Sequence, residues 1–174
     1  MLLKDGRELT VRKAIKSDAA EIVDYLNAVG GESDNLLFGA EGLGMTVEQE
    51  EEYIEAENGR GASALLVGIL NNNIICVGHI TALEKPRVAH LGEVGISVLK
   101  EFWGIGVGTC LMNEIIRVSK ESGALEALHL GVKADNAPAI ALYRKLGFRE
   151  TGRFPGFFKI NGRYYDEIKM ILNL

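Results

Sequence analysis

The chain has 174 residues, 47% of them hydrophobic and 25% charged, with a formal net charge of −5 at pH 7, the profile of one ordinary globular domain (residues 1–174) able to bury a real core. That negative balance excludes a general nucleic-acid binder, which needs a basic face to neutralise phosphates. The longest apolar runs, Ala62 to Leu70 and Ile74 to Leu83, are too short to span a bilayer, and charges at Lys4, Asp5 and Arg7 interrupt any leader, so a cytoplasmic chain without a membrane partner is expected.

Thr10 to Ile15 alternates apolar and polar residues and reads as a first strand. Ser17-Asp18 offers a helix N-cap with Glu21 as capping-box partner, Ile22, Val23, Leu26 and Val29 give that helix a buried face, and Gly30-Gly31 are expected to stop it. A glycine-rich loop to Gly44 follows, then a second capping box, Thr46 with Gln49, opening an acidic helix to about Glu57. Its carboxylates read either as a solvated face or as an attractor for a polyamine or basic peptide end.

Two strands, Ala62 to Leu70 and Ile74 to Leu83, are joined by a tight asparagine turn, and Leu91 to Leu99 is a third apolar strand. It runs into Gly104-Ile105-Gly106-Val107-Gly108 and a helix that buries Leu111, Met112, Ile115, Ile116 and Val118 before Gly123. Leu125 to Val132 is a strand, Asn136 and Pro138 open a short helix ended by Gly147, and Phe148 to Phe154 and Tyr165 to Leu172 close the chain as strands around an Asn161-Gly162 hairpin turn. Cys76 and Cys110 have no clustered histidine, so neither a disulfide framework nor a metal site is expected; His79, His90 and His129 lie far apart and read as structural.

The segment from Leu91 to Ser122 carries the chemistry: strand, glycine turn, helix. A helix N-terminus presents unpaired N–H groups and the positive end of a dipole to phosphate oxygens, and glycines let a pyrophosphate approach the backbone. A nucleotide P-loop is excluded, because no lysine follows the glycines. A dinucleotide fingerprint fails at its third glycine, which falls on Thr109 counted from Gly104 or on Leu111 counted from Gly106.

Trp103-Gly104-Ile105-Gly106-Val107-Gly108 resembles the acetyl-CoA loop of the GNAT acetyltransferase superfamily, Arg/Gln-x-x-Gly-x-Gly/Ala. Both glycines match, and Trp103 stands where the family usually has Arg or Gln. Asn136-Ala-Pro-Ala-Ile-Ala-Leu-Tyr-Arg-Lys-Leu-Gly-Phe148 is similar to the family's late helix, Asn-x-x-Ala-x-x-Leu-Tyr-x-x-x-Gly-Phe, and Tyr165 to Met170 to its C-terminal strand. The resemblance covers nearly the whole chain.

It implies an α/β (α+β) fold: a mixed, mostly antiparallel sheet flanked by helices and split between the Leu91 and Leu125 strands to admit acetyl-CoA. It also implies N-acetyl transfer, by direct attack in a ternary complex, to a primary amine of a small molecule or a protein N-terminus. Trp103, Gly104, Ile105, Gly106, Val107, Gly108 and Thr109 would then hold the pyrophosphate. Ile96, Ser97 and Val98 would pair with the pantetheine arm, either Ile96 or Val98 supplying the N–H that polarises the thioester carbonyl. Asn136 would bond the cofactor as well as cap its helix, and Tyr143 would protonate the leaving sulfur. Glu93 is either the base that deprotonates the amine or a surface glutamate, and Glu32 would line the acceptor pocket. A non-catalytic acyl-CoA-sensing module is the rival reading. Sheet edges and an aromatic hairpin (Phe157, Phe158, Tyr164, Tyr165) are compatible with a homodimer.

Overall fold

A computed structural model describes all 174 residues. The elements in chain order are β1 (Thr10–Lys13), α1 (Ala19–Glu32), α2 (Val47–Gly59), β2 (Ala64–Leu70), β3 (Asn73–Ala82), β4 (Leu91–Val98), α3 (Val107–Glu121), β5 (Ala127–Lys133), α4 (Ala137–Lys145), β6 (Arg149–Ile160) and β7 (Arg163–Asn173). They build one seven-stranded sheet in the order β1-β2-β3-β4-β5-β7-β6. Every neighbouring pair is antiparallel except β4 and β5, which run parallel. The expected mixed, mostly antiparallel sheet is the observed one. Both two-residue hairpin turns hold consecutive residues at positive φ, Asn71 (51°) with Asn72 (64°) and Asn161 (50°) with Gly162 (79°), the turn geometry whose twist matches paired strands.

Side-chain alternation assigns the two faces. Even-numbered residues of the central strands, such as Leu66, Ile80, Val94, Leu128, Leu130 and Val132, pack with Leu111, Met112 and Ile115 of α3 and with Ile140 and Tyr143 of α4. Odd-numbered Leu65, Val67 and Val77 pack under Ile22, Tyr25, Leu26 and Val29 of α1 and Ile54 of α2. No helix is long and apolar enough to cross a membrane.

Four local readings are corrected. Helix α1 runs through Gly30 and Gly31 to Glu32; a Cβ at Gly30 would sit 1.9 Å from the Gly39 carbonyl oxygen, so that glycine makes room for the following loop instead of ending the helix. Asp18 does not cap α1 with its side chain; its carboxylate takes Arg12 Nη1 and Nη2 at 2.6 and 2.9 Å and Ile15 N at 2.8 Å. On α2 the Thr46–Gln49 capping box is present, but the helix is not acidic only toward solvent, since Glu50 and Glu57 are buried among its packing residues. Strand β6 continues to Ile160 through two register shifts, the second of which, between Phe154 and Phe158, lets the strand carry Pro155-Gly156 without ending.

The N-terminus, unassigned from sequence, folds back through a Leu2–Glu8 bridge and buries Leu3 and Leu9 in the larger core. The Arg12–Asp18 pair makes a test of local stability. Arg12 holds the Asp18 carboxyl below the usual carboxylate range, so the pair's contribution is present above about pH 4 and lost as pH falls through the lowered folded value. Asp18→Ala is expected to cost roughly 1–3 kcal/mol at pH 7, and the difference from wild type to shrink by pH 3 in denaturant melts.

Candidate active site

The parallel pair β4–β5 is joined over three positions only, Leu91–Ala127, Gly92–Leu128 and Glu93–His129. Beyond Glu93 the strands part and leave a split in the sheet. Leu99 N bonds Ile75 O and Leu83 N bonds Leu91 O, so odd-numbered residues of β4 direct their backbone groups to β3. The even-numbered residues direct theirs the other way, to β5 as far as Val94, whose N–H closes the last bridge; Ile96 and Val98 therefore direct theirs into the split, where no strand meets them. Of the three strand residues singled out from sequence, Ile96 and Val98 face the split. Ser97 does not: its backbone is turned to β3 and its hydroxyl meets Tyr25 Oη at 2.9 Å.

The chain then turns through Gly104 (φ 79°) and Gly106 (φ 104°), left-handed conformations that a side chain would strain. The first helical bond of α3 is Cys110 N to Gly106 O, 3.0 Å, which leaves the N–H groups of Val107, Gly108 and Thr109 free at the positive end of the helix. Gly108 meets both walls of the split: a Cβ there would stand 3.2 Å from Leu142 Cδ2 on α4 and 3.5 Å from Ile96 Cδ1 on β4. The Trp103 side chain lies back on the strand end, its indole Nε1 donating to Val98 O at 2.7 Å.

A cation reaches this turn from a part of the sequence that carried no motif. Lys4 N bonds Ile105 O at 3.0 Å, and Lys4 Nζ bonds Gly104 O at 3.1 Å on the exposed side of the loop. The N-terminal hairpin thus straps the glycine turn and places a positive charge beside it, where Trp103 offers none. Only the pairing of residues a hundred positions apart reveals it. Glu32, expected in an acceptor pocket, accepts a 2.6 Å bond from Lys100 N and so tethers the end of α1 to the same connection.

Tyr143 projects from α4 on the α3 side of the sheet, 7% exposed, with its ring 5.8 Å from Phe148. Burial alone pushes its phenol up to about 12, with no donor or charge of the chain acting on it. Asn136 caps α4 through Oδ1, which accepts from Ala139 N at 3.3 Å. Burial also pushes the Cys76 thiol up to about 12, which suits an inert core residue.

Glu93 lies on the opposite face, exposed, at the last paired position before the split and opposite His129. Two side chains absent from the sequence-based set join it there. His79 of β3 lies across Gly95, its Cε1 2.5 Å from where a Cβ would stand, and burial lowers its pKa so that the ring stays neutral. Glu167 of β7 lies across Gly131 of β5, its Oε1 1.8 Å from the corresponding point. A groove between β1 and α3 (about 470 Å³, lined by Arg12, Lys13, Ser63, Glu114 and Arg117) lies at the far edge of the sheet, with Arg117 already paired to Glu114 and Glu121.

Comparison with known proteins agrees with this geometry. The sequence model of the Acetyltransferase (GNAT) family matches residues 37–148. The L-amino acid N-acetyltransferase AaaT of Escherichia coli (strain K12) is 34% identical over 60% of this chain, the match spanning 65% of that relative's length. The N-alpha-acetyltransferase of Sulfurisphaera tokodaii is 30% identical over 85% of this chain and 84% of its own. Among solved structures, an acetyltransferase of the GNAT family from Streptococcus pneumoniae superposes with a TM-score of 0.93 at 33% identity, covering 96% of this chain and all of that one. With a split sheet, a glycine turn opening a helix and these relatives, the chain belongs to the GNAT acetyltransferase family.

Proposed function

We propose that the protein transfers the acetyl group of acetyl-CoA to a primary α-amino group, of a free amino acid or of a protein N-terminus, in a ternary complex. The observation that carries this reading is the split itself, where the backbone of Ile96 and the N–H of Val98 meet no strand and lead to three free N–H groups at the start of α3. The pantetheine arm would lie against Ile96 and Val98 as an added strand, and the pyrophosphate would sit on Gly104 to Thr109. The N–H of Ile96 or Val98 would polarise the thioester carbonyl. Asn136 would offer the cofactor its amide nitrogen, since its oxygen is used in the cap.

Tyr143 and Glu93 stand on opposite faces of the sheet, which suits the reaction. An amine entering from the Glu93 side attacks the carbonyl carbon, while the departing sulfur takes a proton from the phenol on the α4 side. The proton of the incoming ammonium passes to a carboxylate at the fork, Glu93 being the one the sequence points to. The α-amino class is supported by the names of the two relatives, an L-amino acid N-acetyltransferase and an N-alpha-acetyltransferase. A sensing module that binds acyl-CoA without chemistry is disfavoured by a buried phenol free to donate.

Calorimetric titration with acetyl-CoA, with NAD as control, tests the binding half. Saturable binding of acetyl-CoA alone is expected, followed by acceptor-dependent release of CoA; no binding at millimolar acetyl-CoA sinks the reading. In the same titration Lys4→Met is expected to weaken binding about 3- to 10-fold and to flatten its dependence on salt, as loss of one exposed cation beside a phosphate implies. Unchanged affinity and salt slope would show that Lys4 only straps the loop.

A further inference from the structure

The fork carries more than Glu93. Had β4 and β5 continued in register past Glu93–His129, Gly95 would face Gly131; instead the two glycines border the split from either side. Each has a polar side chain from the next strand out laid over it: His79 on Gly95 and Glu167 on Gly131. The two strand pairings put His79, Glu93, His129 and Glu167 on the same face of the sheet, the one that α1 and α2 cover only as far as β4.

Glu167 is the unusual member. It is 5% exposed, and its Oε2 is held only by an ion pair, Lys169 Nζ standing 2.7 Å away. A buried carboxylate is costly unless paired; Lys169 supplies that pair at Oε2, while Oε1, the oxygen laid over Gly131, takes no hydrogen bond from the chain. Its companion charges on this face are already engaged: Lys133 is held by Asp135 at 2.6 Å and stacked 3.9 Å from the Tyr165 ring, and Lys169 is shared between Glu167 and the Phe157 ring. Among the titratable groups of this face, Lys133 of β5 stands opposite Glu167 in register and Lys169 pairs with it along β7, while His129 and Glu93 share the face further along, at the last paired position before the split. Any side chain larger than hydrogen at position 131 would exclude Oε1 from its place, so Gly131 is what brings the carboxylate to the edge of the split.

We propose that Glu167, seated over Gly131, is the catalytic carboxylate that binds the acceptor ammonium group at the split and takes its first proton, with exposed Glu93 drawing the cation in from solvent. The inference rests on the acetyltransferase reading above. In the step, one N–H bond of the ammonium breaks and its proton moves to Glu167. The freed nitrogen lone pair forms the bond to the acetyl carbon, and the carbon–sulfur bond breaks. The second proton lost by nitrogen balances the one Tyr143 supplies to sulfur, and Glu167 returns its proton to solvent.

The test compares wild type, Glu167→Gln and Gly131→Ala, the last leaving the carboxylate intact but displaced. Acetyl-CoA affinity is measured by calorimetry and CoA release with a mixture of L-amino acids and with a short peptide bearing a free N-terminus, from pH 6.5 to 9.5. Both variants are expected to bind acetyl-CoA like wild type and to lose about 100-fold in rate at pH 7. The deficit should shrink about tenfold per pH unit below the amine's own pKa, as solution deprotonation replaces the missing base. A rate within twofold of wild type for Glu167→Gln overturns the proposal, as does an equal deficit at every pH, which is what a purely structural role predicts. A wild type that binds acetyl-CoA yet releases no CoA with either probe also overturns it, because a seat for a free ammonium would have no use. If the wild type fails to bind acetyl-CoA, the acetyltransferase reading falls first and this proposal with it.

Discussion

Tyr143→Phe is expected to lower turnover about 100-fold, close to 2.7 kcal/mol in the barrier, while leaving acetyl-CoA affinity within about twofold. The phenol is buried on α4 beside Phe148, so the ring of phenylalanine fills the same space and only the proton donor is removed. Because burial pushes the phenol up to about 12, it remains protonated across the working pH range and is available to the leaving sulfur throughout. The same shift has a consequence for stability. The folded chain holds this proton more tightly than the unfolded one, whose tyrosines titrate near 10, so stability falls as pH rises from about 10 towards 12. Tyr143→Phe removes that loss, and its melting temperature should decline less than that of wild type between pH 9.5 and 11. Steady-state kinetics with calorimetry reads the first effect; an unchanged turnover would return Tyr143 to a packing role.

Ile115→Ala is expected to destabilise the chain by about 3–4 kcal/mol, or to lower its midpoint of thermal unfolding by roughly 10 °C. Ile115 is fully buried in the middle of α3, in the larger core cluster. Its Cδ1 lies 2.9 Å from the point where Gly78 would carry a Cβ, alongside Leu111 Cδ1 at 3.3 Å, so helix and strand β3 touch almost backbone to side chain. The cavity left by alanine is enclosed by elements that cannot close over it without moving α3, whose first turn forms the candidate phosphate site. Acetyl-CoA affinity should therefore weaken together with stability. Calorimetric unfolding with and without acetyl-CoA checks both, and a loss below about 1 kcal/mol would mean that the core relaxes around the vacancy.

Much of the architecture was legible from periodicity and caps. The strand–glycine–helix segment stands where the spacing of Gly104, Gly106 and Gly108 places it, and the Asn136 cap and the Thr46–Gln49 box close as expected. These are local rules, acting within four residues, and local sequence carries them. The readings that failed locally did so because a distant partner outbid a neighbour. Asp18 turns to Arg12 instead of its own helix, and Gly30 serves the loop passing over it.

At the candidate site the division is similar. The family motifs single out Tyr143, Glu93 and the glycine turn, because those residues sit in contiguous runs whose spacing is chemical. Lys4 and His79 lie in runs that carry no motif, and Glu167 lies in the strand that resembles the family's C-terminal one without being marked out there, since each acts across strands or from the opposite end of the chain. What the sequence alone determined is the order of elements, the glycine turn and the α4 motif, all set by interactions between near neighbours. Only the tertiary structure decided at which position the two strands part, that Ser97 turns its backbone away from the opening, and which distant side chains, Lys4, His79 and Glu167, are laid beside it. Strand pairing and packing join residues far apart in the chain, and no local pattern encodes that partner.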